Sequence, residues 1–241
     1  MQFTLLRYDK LDSTNTEAAN LARRGAAEGI CVVADEQTAG RGRQGRSWSS
    51  AKGDGAYFSI ILRPKLEARC LSLIPLMAAV AVHDVLRMGF LIPPDIKWPN
   101  DILVGEKKIS GILAEAIDTP TGLVVIVGIG LNLRNAEPDL NATSIEAESQ
   151  FPADRDDLIA YIHEEMSRLY ENLLADPPSI VRLWSERSSY VEGKDVTVTT
   201  GDETFDGTTA GLEENGALRV QRCDGRISIV QAGDVNRLRA V

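Results

Sequence analysis

The sequence lacks the features that define several large classes of protein. Its longest apolar stretch, Leu73 to Val82, has ten residues, about half of what a membrane span needs. The first residues show no basic segment followed by an apolar one, as a secretory signal would. The three cysteines are scattered and form no CxxC pair, so neither a disulfide framework nor a zinc site is predicted. We therefore expect a protein of the reducing cytoplasm that does not enter a membrane.

An excess of positive charge is also missing. The 241 residues contain 26 Lys and Arg against 35 Asp and Glu, which gives a net charge of −9 with neutral histidines. Dedicated nucleic-acid binders usually show a basic excess, so we expect no nucleic-acid partner. Leu, Ile and Val occur along the whole chain, which excludes a disordered protein. The length suits one large domain, or one domain with a small second one.

Apolar segments and turn signals predict an α+β fold. A first helix is predicted from about Thr14 to Gly25; Glu17 completes the capping-box spacing with Thr14, and Asp12 and Ser13 are other candidate caps. Further helices are predicted over residues 71–88, 154–174 and 180–188. Strands are predicted at residues 3–8, 30–34, 57–62, 96–98, 102–104, 108–117 and 123–133. Hairpin turns between the later strands indicate a mixed, mainly antiparallel sheet with packed helices. Residues 134–153 are expected to be a polar connection.

The pattern changes after Gly193. Val196, Val198 and Thr200 alternate with polar residues, and Asp224-Gly225 marks a tight hairpin between two short apolar runs. About fifty residues of short strands suggest a small β-barrel. We expect two domains, residues 1–191 and 192–241.

The most informative segment is a loop rich in glycine and arginine. Residues 40–48 read GRGRQGRSW and place three arginines within six positions. Glycine lets a ligand approach the backbone, and arginine offers forked donors to phosphate or carboxylate. The segment is not a Walker A loop, because Arg46 replaces the lysine and no helix can follow. Residues 128–133 are not a dinucleotide fingerprint, because Leu133 replaces the third glycine.

Three other segments carry polar groups in unusual settings. Ser13-Thr14-Asn15 lies at a helix start, Lys97-Trp-Pro-Asn-Asp101 lies between two strands, and Lys108 precedes Gly111 in an apolar strand. Taken singly, each is typical of an ordinary cap, a packing contact or a charged edge strand. Together with the arginine loop, which we define as residues 38–53, they indicate a ligand site.

This ordered set of motifs resembles the biotin protein ligase family, and the match covers nearly the whole chain. The resemblance implies a catalytic domain related to class II aminoacyl-tRNA synthetases, followed by an SH3-like barrel. It implies ATP-dependent formation of biotinyl-5′-AMP and transfer of biotin to one lysine of a biotin carboxyl carrier domain of a carboxylase. Magnesium would arrive on the ATP phosphates, without a dedicated protein site. The arginine loop would act as a flexible lid over the labile adenylate.

The resemblance also implies site residues. Lys108 and Arg43 would be the catalytic pair. Biotin contacts are implied for Ser13, Thr14, Asn15, Gln37, Gly40, Arg41, Arg43, Tyr57, Lys108, Gly111, Gly128 and Gly130. Nucleotide contacts are implied for Arg41, Arg43, Arg46, Trp48, Asn100, Asp101, Lys108 and Asn132.

Two alternatives stay open at this point. A lipoate or octanoate ligase could share the fold, although the GRGRxGR pattern disfavours it. A non-catalytic biotin or nucleotide sensor could keep the site, although the full set of lysines and arginines argues against it. Some family members carry a winged helix-turn-helix before the catalytic domain, and the Ser13 motif begins too early here for one. We therefore expect a monofunctional ligase, either monomer or homodimer.

Overall fold

The computed structural model describes residues 3–134, 141–201 and 203–237. Seven strands form the larger sheet: β1 (Thr4–Leu11), β2 (Ile30–Gln37), β3 (Gly55–Leu62), β4 (Pro94–Lys97), β5 (Asp101–Val104), β6 (Lys107–Thr119) and β7 (Gly122–Asn132). Their order is β1-β2-β3-β7-β6-β5-β4. Among these described strands β1 and β2 pair in parallel, and the other neighbours pair antiparallel. The expected α+β class with a mainly antiparallel sheet is confirmed.

Helix α1 (Thr14–Arg23) connects β1 to β2, and this crossover accounts for their parallel pairing. The predicted capping box at Thr14 is wrong. Ser13, one of the other candidate caps, occupies the N-cap position, although within the described chain its side chain caps no amide. The Thr14 amide donates instead to Oε1 of Gln37 at 2.8 Å. The free amide at the start of α1 therefore finds its acceptor at the end of β2, a contact between distant residues that local sequence spacing does not reveal.

The remaining helices are α2 (Leu73–Phe90), α3 (Ile145–Glu148), α4 (Arg155–Ala175) and α5 (Pro178–Ser185). Segment Ala68–Phe90 is long and apolar enough to cross a membrane, but 67% of its most apolar window is buried inside the protein. A buried core helix has the same composition, and α2 packs against α4, α5 and the sheet. The predicted polar connection at 134–153 contains α3, which Ser144 caps; residues 135–140 lie outside the described part.

The two faces of the larger sheet are covered differently. Helices α2, α4 and α5 cover one face and share one large apolar cluster with residues such as Phe58 and Ile60 of β3. Helix α1 covers part of the other face, where Ala18 and Ala22 meet Ile61 and Val124 in a much smaller cluster. Much of this second face is therefore left for other contacts, and we call it the site face.

A second sheet follows, with strands β8 (Glu192–Thr199), β9 (Thr204–Leu212), β10 (Leu218–Arg222), β11 (Ile227–Val230) and β12 (Asp234–Arg237) in the order β11-β10-β9-β8-β12. It fits the expected small barrel. Strands β9 and β12 were not predicted, because neither alternates regularly between apolar and polar residues. The buried indole of Trp98 donates to the Gly216 carbonyl at 2.9 Å and joins the barrel to the segment between β4 and β5.

Candidate active site

A cavity of about 170 Å³ opens on the site face, between the arginine loop, the start of α1, strands β6 and β7, and β12 of the barrel. All four sequence motifs contribute to it. Its lining includes the predicted residues Ser13, Thr14, Asn15, Gln37, Arg41, Arg43, Arg46, Trp48, Asn100, Asp101, Lys108, Gly111, Gly128 and Gly130. The fold therefore brings together most of the residues that the sequence analysis selected.

The centre of the arginine loop is a hydrogen-bonded hairpin. The Trp48 amide donates to the Gly40 carbonyl at 2.9 Å, and the Gly42 amide donates to the Arg46 carbonyl at 2.7 Å. A Cβ on Gly40 would lie 2.3 Å from the Trp48 carbonyl oxygen, so only glycine permits this closure. The hairpin holds its arginines in fixed relative positions above the sheet.

Glycines on β7 form the floor of the cavity. A Cβ on Gly130 would lie 2.4 Å from Cε2 of Trp48, and one on Gly128 would lie 2.0 Å from Oδ1 of Asn15. Both side chains therefore lie directly on the backbone of the strand. The buried Nε1 of Trp48 finds no hydrogen-bond partner within the described chain. An indole N–H in this state can donate to an acceptor on a ligand.

One end of the cavity holds a network of neutral polar groups. The Oε1 of Gln37 accepts from the amide of Thr14 at 2.8 Å and from its hydroxyl at 3.1 Å. The fully buried Ser59 hydroxyl lies 2.7 Å from Oγ1 of Thr14 and 2.6 Å from Oδ1 of Asn15. Ser59 was not predicted as a site residue, and its one trace in the sequence is a polar residue in the apolar strand GAYFSIIL.

The other end of the cavity is cationic. The Lys108 Nζ lies 2.6 Å from a carboxylate oxygen of Asp101 and 5.2 Å from the ring centroid of Trp48. Arg43 donates to Oδ1 of Asn100 at 3.2 Å. Burial lowers the pKa of Arg43 and also that of Lys97. A buried cation that lacks full hydration binds an anionic ligand more strongly than an exposed one.

The barrel supplies a wall of this cationic end. Arg46 pairs with the carboxylate of Asp234, and this hydrogen bond raises the pKa of Arg46. Arg43 reaches the carbonyl of Gly233 at 3.4 Å, and Lys97 reaches Oδ1 of Asn236 at 3.4 Å. Asp234 was missed, since only the tertiary fold brings β12 to the loop.

Three predicted site residues lie outside the lining of the cavity. Gly40 closes the base of the hairpin. Tyr57 is buried, its hydroxyl donates to the Ala51 carbonyl at 3.2 Å, and burial raises its pKa. The Nδ2 of Asn132 donates to the Thr143 carbonyl at 2.9 Å. In this structure Tyr57 and Asn132 hold neighbouring loops in place.

Comparison with known proteins agrees with this geometry. A sequence model described as "Biotin/lipoate A/B protein ligase family" matches residues 8–132, and one described as "Biotin protein ligase C terminal domain" matches residues 193–237. The bifunctional ligase/repressor BirA of Bacillus subtilis is 35% identical over 235 residues, which cover 95% of this chain and 72% of BirA.

Two further relatives match almost end to end. The biotin–[acetyl-CoA-carboxylase] ligase of Paracoccus denitrificans is 32% identical over 94% of this chain and 97% of its own length. The structure of the Aquifex aeolicus biotin protein ligase in complex with biotin and ATP superposes with a TM-score of 0.83 at 29% identity, covering 98% of this chain and 99% of that one. The chain therefore belongs to the biotin/lipoate A/B protein ligase family, as its motifs predicted.

Proposed function

We propose that this chain is an ATP-dependent biotin–[acetyl-CoA-carboxylase] ligase. In the first step the biotin carboxylate attacks the α-phosphate of ATP, which forms biotinyl-5′-AMP and releases pyrophosphate. In the second step the Nζ of a carrier-domain lysine attacks the acyl carbon, and AMP leaves. One observation carries the proposal: a single cavity joins a neutral polar end to a cationic end over a floor of glycine.

The neutral end suits the ureido ring of biotin. That ring offers one carbonyl acceptor and two N–H donors, and a site recognises it with matched amides and hydroxyls. Thr14, Asn15 and Gln37 present such groups, and Ser59 fixes two of them from behind. The Trp48 indole and the bare backbone of β7 at Gly128 and Gly130 line the same cavity and suit the thiophane ring and valeryl chain. We keep Ser13 and Gly111 as further contacts on this side.

The cationic end suits the reacting groups. Joining a carboxylate to a triphosphate brings two anions together, so fixed positive charge lowers the barrier. We propose Lys108 and Arg43 as the catalytic pair, because both carry positive charge into the cationic end of the cavity. Asp101 balances Lys108 without ligand, and an arriving phosphate would compete for that ammonium group. The chemistry needs no nucleophile from the protein, because biotin itself attacks.

Magnesium fits this site as an ion that ATP delivers. Within the described residues no group of three or more His, Cys, Asp or Glu could hold a metal ion. The carboxylates of Asp101 and Asp234 line the cavity and could hold magnesium through its waters, as is common for ions bound to phosphates. When bound, the ion would offset phosphate charge, while Arg46 and Asn100 would position the nucleotide.

The same observations support our remaining proposals. We propose a catalytic domain of residues 1–191, a barrel domain of residues 192–241, and a cytoplasmic protein whose partner is a biotin carboxyl carrier domain. The net charge of −9 supports the absence of a nucleic-acid partner. The match of residues 193–237 to a biotin ligase C-terminal domain favours biotin over lipoate or octanoate.

A direct assay tests the proposal. The protein is incubated with ATP, magnesium, biotin and a carrier domain, and the carrier is then weighed by mass spectrometry. We expect one biotinyl group on one lysine, and no product when lipoate or octanoate replaces biotin. A carrier whose target lysine is replaced by arginine is the control. Modification by lipoate alone would make the chain a lipoate ligase, and biotin binding without pyrophosphate release would make it a sensor.

A further inference from the structure

Glu115 lies on β6 beside the cavity and connects two parts of the site. One oxygen of its carboxylate, Oε2, accepts from Nδ2 of Asn15 at 2.8 Å and from Nη2 of Arg41 at 2.6 Å. Asn15 belongs to α1, whereas Arg41 belongs to the arginine loop. The carboxylate is 32% exposed, and it lines a cleft beneath the loop rather than the main cavity. Glu115 would thus act through its neighbours.

The first neighbour, Asn15, has an amide that could face either way. Its Nδ2 can only donate and its Oδ1 can only accept, and a carboxylate such as that of Glu115 offers acceptors alone. The Leu113 carbonyl, at 3.3 Å, is a second and longer acceptor. With Nδ2 held on this side, Oδ1 lies at the Ser59 hydroxyl. Glu115 therefore selects one orientation of the Asn15 amide at the neutral end of the cavity.

The second neighbour, Arg41, is the first arginine of the hairpin. Its guanidinium group is 43% exposed, and its ion pair with Glu115 joins the hairpin to the sheet. On the barrel side, Arg46 and Asp234 form a comparable pair. The hairpin is thus held by one carboxylate on each side of the cavity mouth.

We propose that Glu115 is a positioning residue that couples lid closure to biotin recognition. A closed loop places Arg41 on Glu115, the charge of Glu115 is then shared between two donors, and the Asn15 amide is held in the orientation that recognises the ureido ring. The proposal rests on the proposed function, since it names biotin as the group that Asn15 recognises. It adds a residue that lies outside the lining of the main cavity.

The first test needs no ligand, so it is independent of the proposed function. Amide exchange is measured over residues 38–53 in the free protein for the wild type, Glu115→Ala and Glu115→Gln. We expect both variants to exchange about two- to fivefold faster there, the range of a partly exposed ion pair. Glu36→Gln is the matched control, because Glu36 is 30% exposed and pairs with Lys10 at 2.7 Å on the first strands of the same sheet. Wild-type exchange in both Glu115 variants would contradict the proposal.

The second test separates binding from chemistry. Glu115→Ala should raise the KM for biotin at least about tenfold, since a hydrogen bond to a charged group is lost. The KM for ATP should change less than about twofold. Glu115→Gln keeps an oxygen acceptor for Asn15, so its KM for biotin should lie between that of the wild type and that of Glu115→Ala. A fall in kcat alone, or an equal rise of both KM values, would contradict a positioning role.

The two tests also distinguish failure of the proposed ligase function from failure of the positioning role of Glu115. If the wild type forms no adenylate, the proposed function fails, and unchanged exchange in the free variants would still refute the link from Glu115 to the loop. If Glu115→Ala does not fold, Glu115→Gln carries both measurements. Faster loop exchange with an unchanged KM for biotin would refute the coupling.

Discussion

Strand β7 has two faces with opposite chemistry. Val125, Val127, Ile129 and Leu131 point into the large apolar cluster beneath α2 and α4. On the site face the row begins with Val124 and Ile126 and continues with Gly128 and Gly130, which carry Asn15 and Trp48. The first row fills space with side chains along its whole length, whereas the second row leaves the backbone bare at its two glycines. The same eleven residues thus support the fold on one side and the ligand cavity on the other.

This division has a physical reason. Burial of branched side chains stabilises the fold by roughly 1.5–3 kcal/mol per residue. Glycine contributes none of this, but it lets the backbone approach a ligand. A strand whose side chains pack in the core on one face is held in the sheet by that packing, so its other face can remain open to a ligand. We therefore expect substitutions on the two faces to separate stability from ligand binding.

The largest effect on stability is expected at Phe58, which is fully buried. Its ring lies at a right angle to that of His163, with the two ring centroids 5.8 Å apart. Phe58→Ala should lower the free energy of unfolding by about 3–5 kcal/mol. Its neighbour Ser59 faces the other way, and Ser59→Ala should instead weaken biotin binding. Chemical unfolding and biotin titration of both variants check this. A greater loss of biotin affinity in Phe58→Ala than in Ser59→Ala would contradict it.

The largest effect on chemistry is expected at Lys108. Lys108→Ala should slow adenylate formation about 10²–10³-fold, because one preorganised charge is lost where anions meet. The unfolding midpoint should barely change, since the Lys108 side chain is 32% exposed. Lys107→Ala, one residue earlier and exposed, is the control. Single-turnover pyrophosphate release measures the rate, and wild-type adenylation by Lys108→Ala would remove that residue from the mechanism.

His163, which packs against the core side of the larger sheet, gives stability a pH dependence. Burial lowers the pKa of His163 from 6.5 to about 4. The folded protein keeps a neutral imidazole, whereas the unfolded chain takes up a proton below its own pKa. Stability is therefore lost as the pH falls from about 6.5 toward 4, by about 3 kcal/mol over the whole window.

His163→Gln serves as the test of this pH dependence. The carboxylates titrate in both proteins, so the difference between their unfolding curves isolates the imidazole. We expect the wild type to lose more stability than the variant between pH 6.5 and 4. Parallel curves would show that His163 is not held neutral by its buried position.

A smaller effect on stability is expected at Gly128. Gly128→Ala would force Asn15 away from the strand and should lower stability by about 1–3 kcal/mol, as overpacking does. Biotin affinity should fall in the same variant. Gly89→Ala on α2 is the matched control, because its added Cβ meets no atom within 4 Å beyond its chain neighbours and the backbone of its own helix, and helix propensity predicts a gain of up to about 1 kcal/mol. Unchanged biotin affinity in Gly128→Ala would contradict our view of the floor.

The sequence predicted the regular elements well where a local pattern existed. The two ends of α4 lie within one residue of the predicted ends. The prediction was close because Asp154 caps the start of the helix and Pro177 and Pro178 follow its end. The predicted motifs also lie together in one cavity. Each could be selected from the sequence because its polar or charged residues are unusual in the segment that holds them. Ser59 stands out only as one hydroxyl in an apolar strand, and that local signal does not show that its partners are Thr14 and Asn15. Glu115 and Asp234 were missed because the partners of both lie far away in the chain.

The most direct test of this division is amide exchange across the whole chain, with and without saturating biotin and ATP. We predict strong protection of residues 38–53, because a bound adenylate would supply the counter-charge for Arg41, Arg43 and Arg46 and an acceptor for Trp48. Exchange in α2 and α4 should stay unchanged, since the core face does not meet the ligand. Equal exchange of residues 38–53 in both states, or equal protection of both faces, would contradict the account.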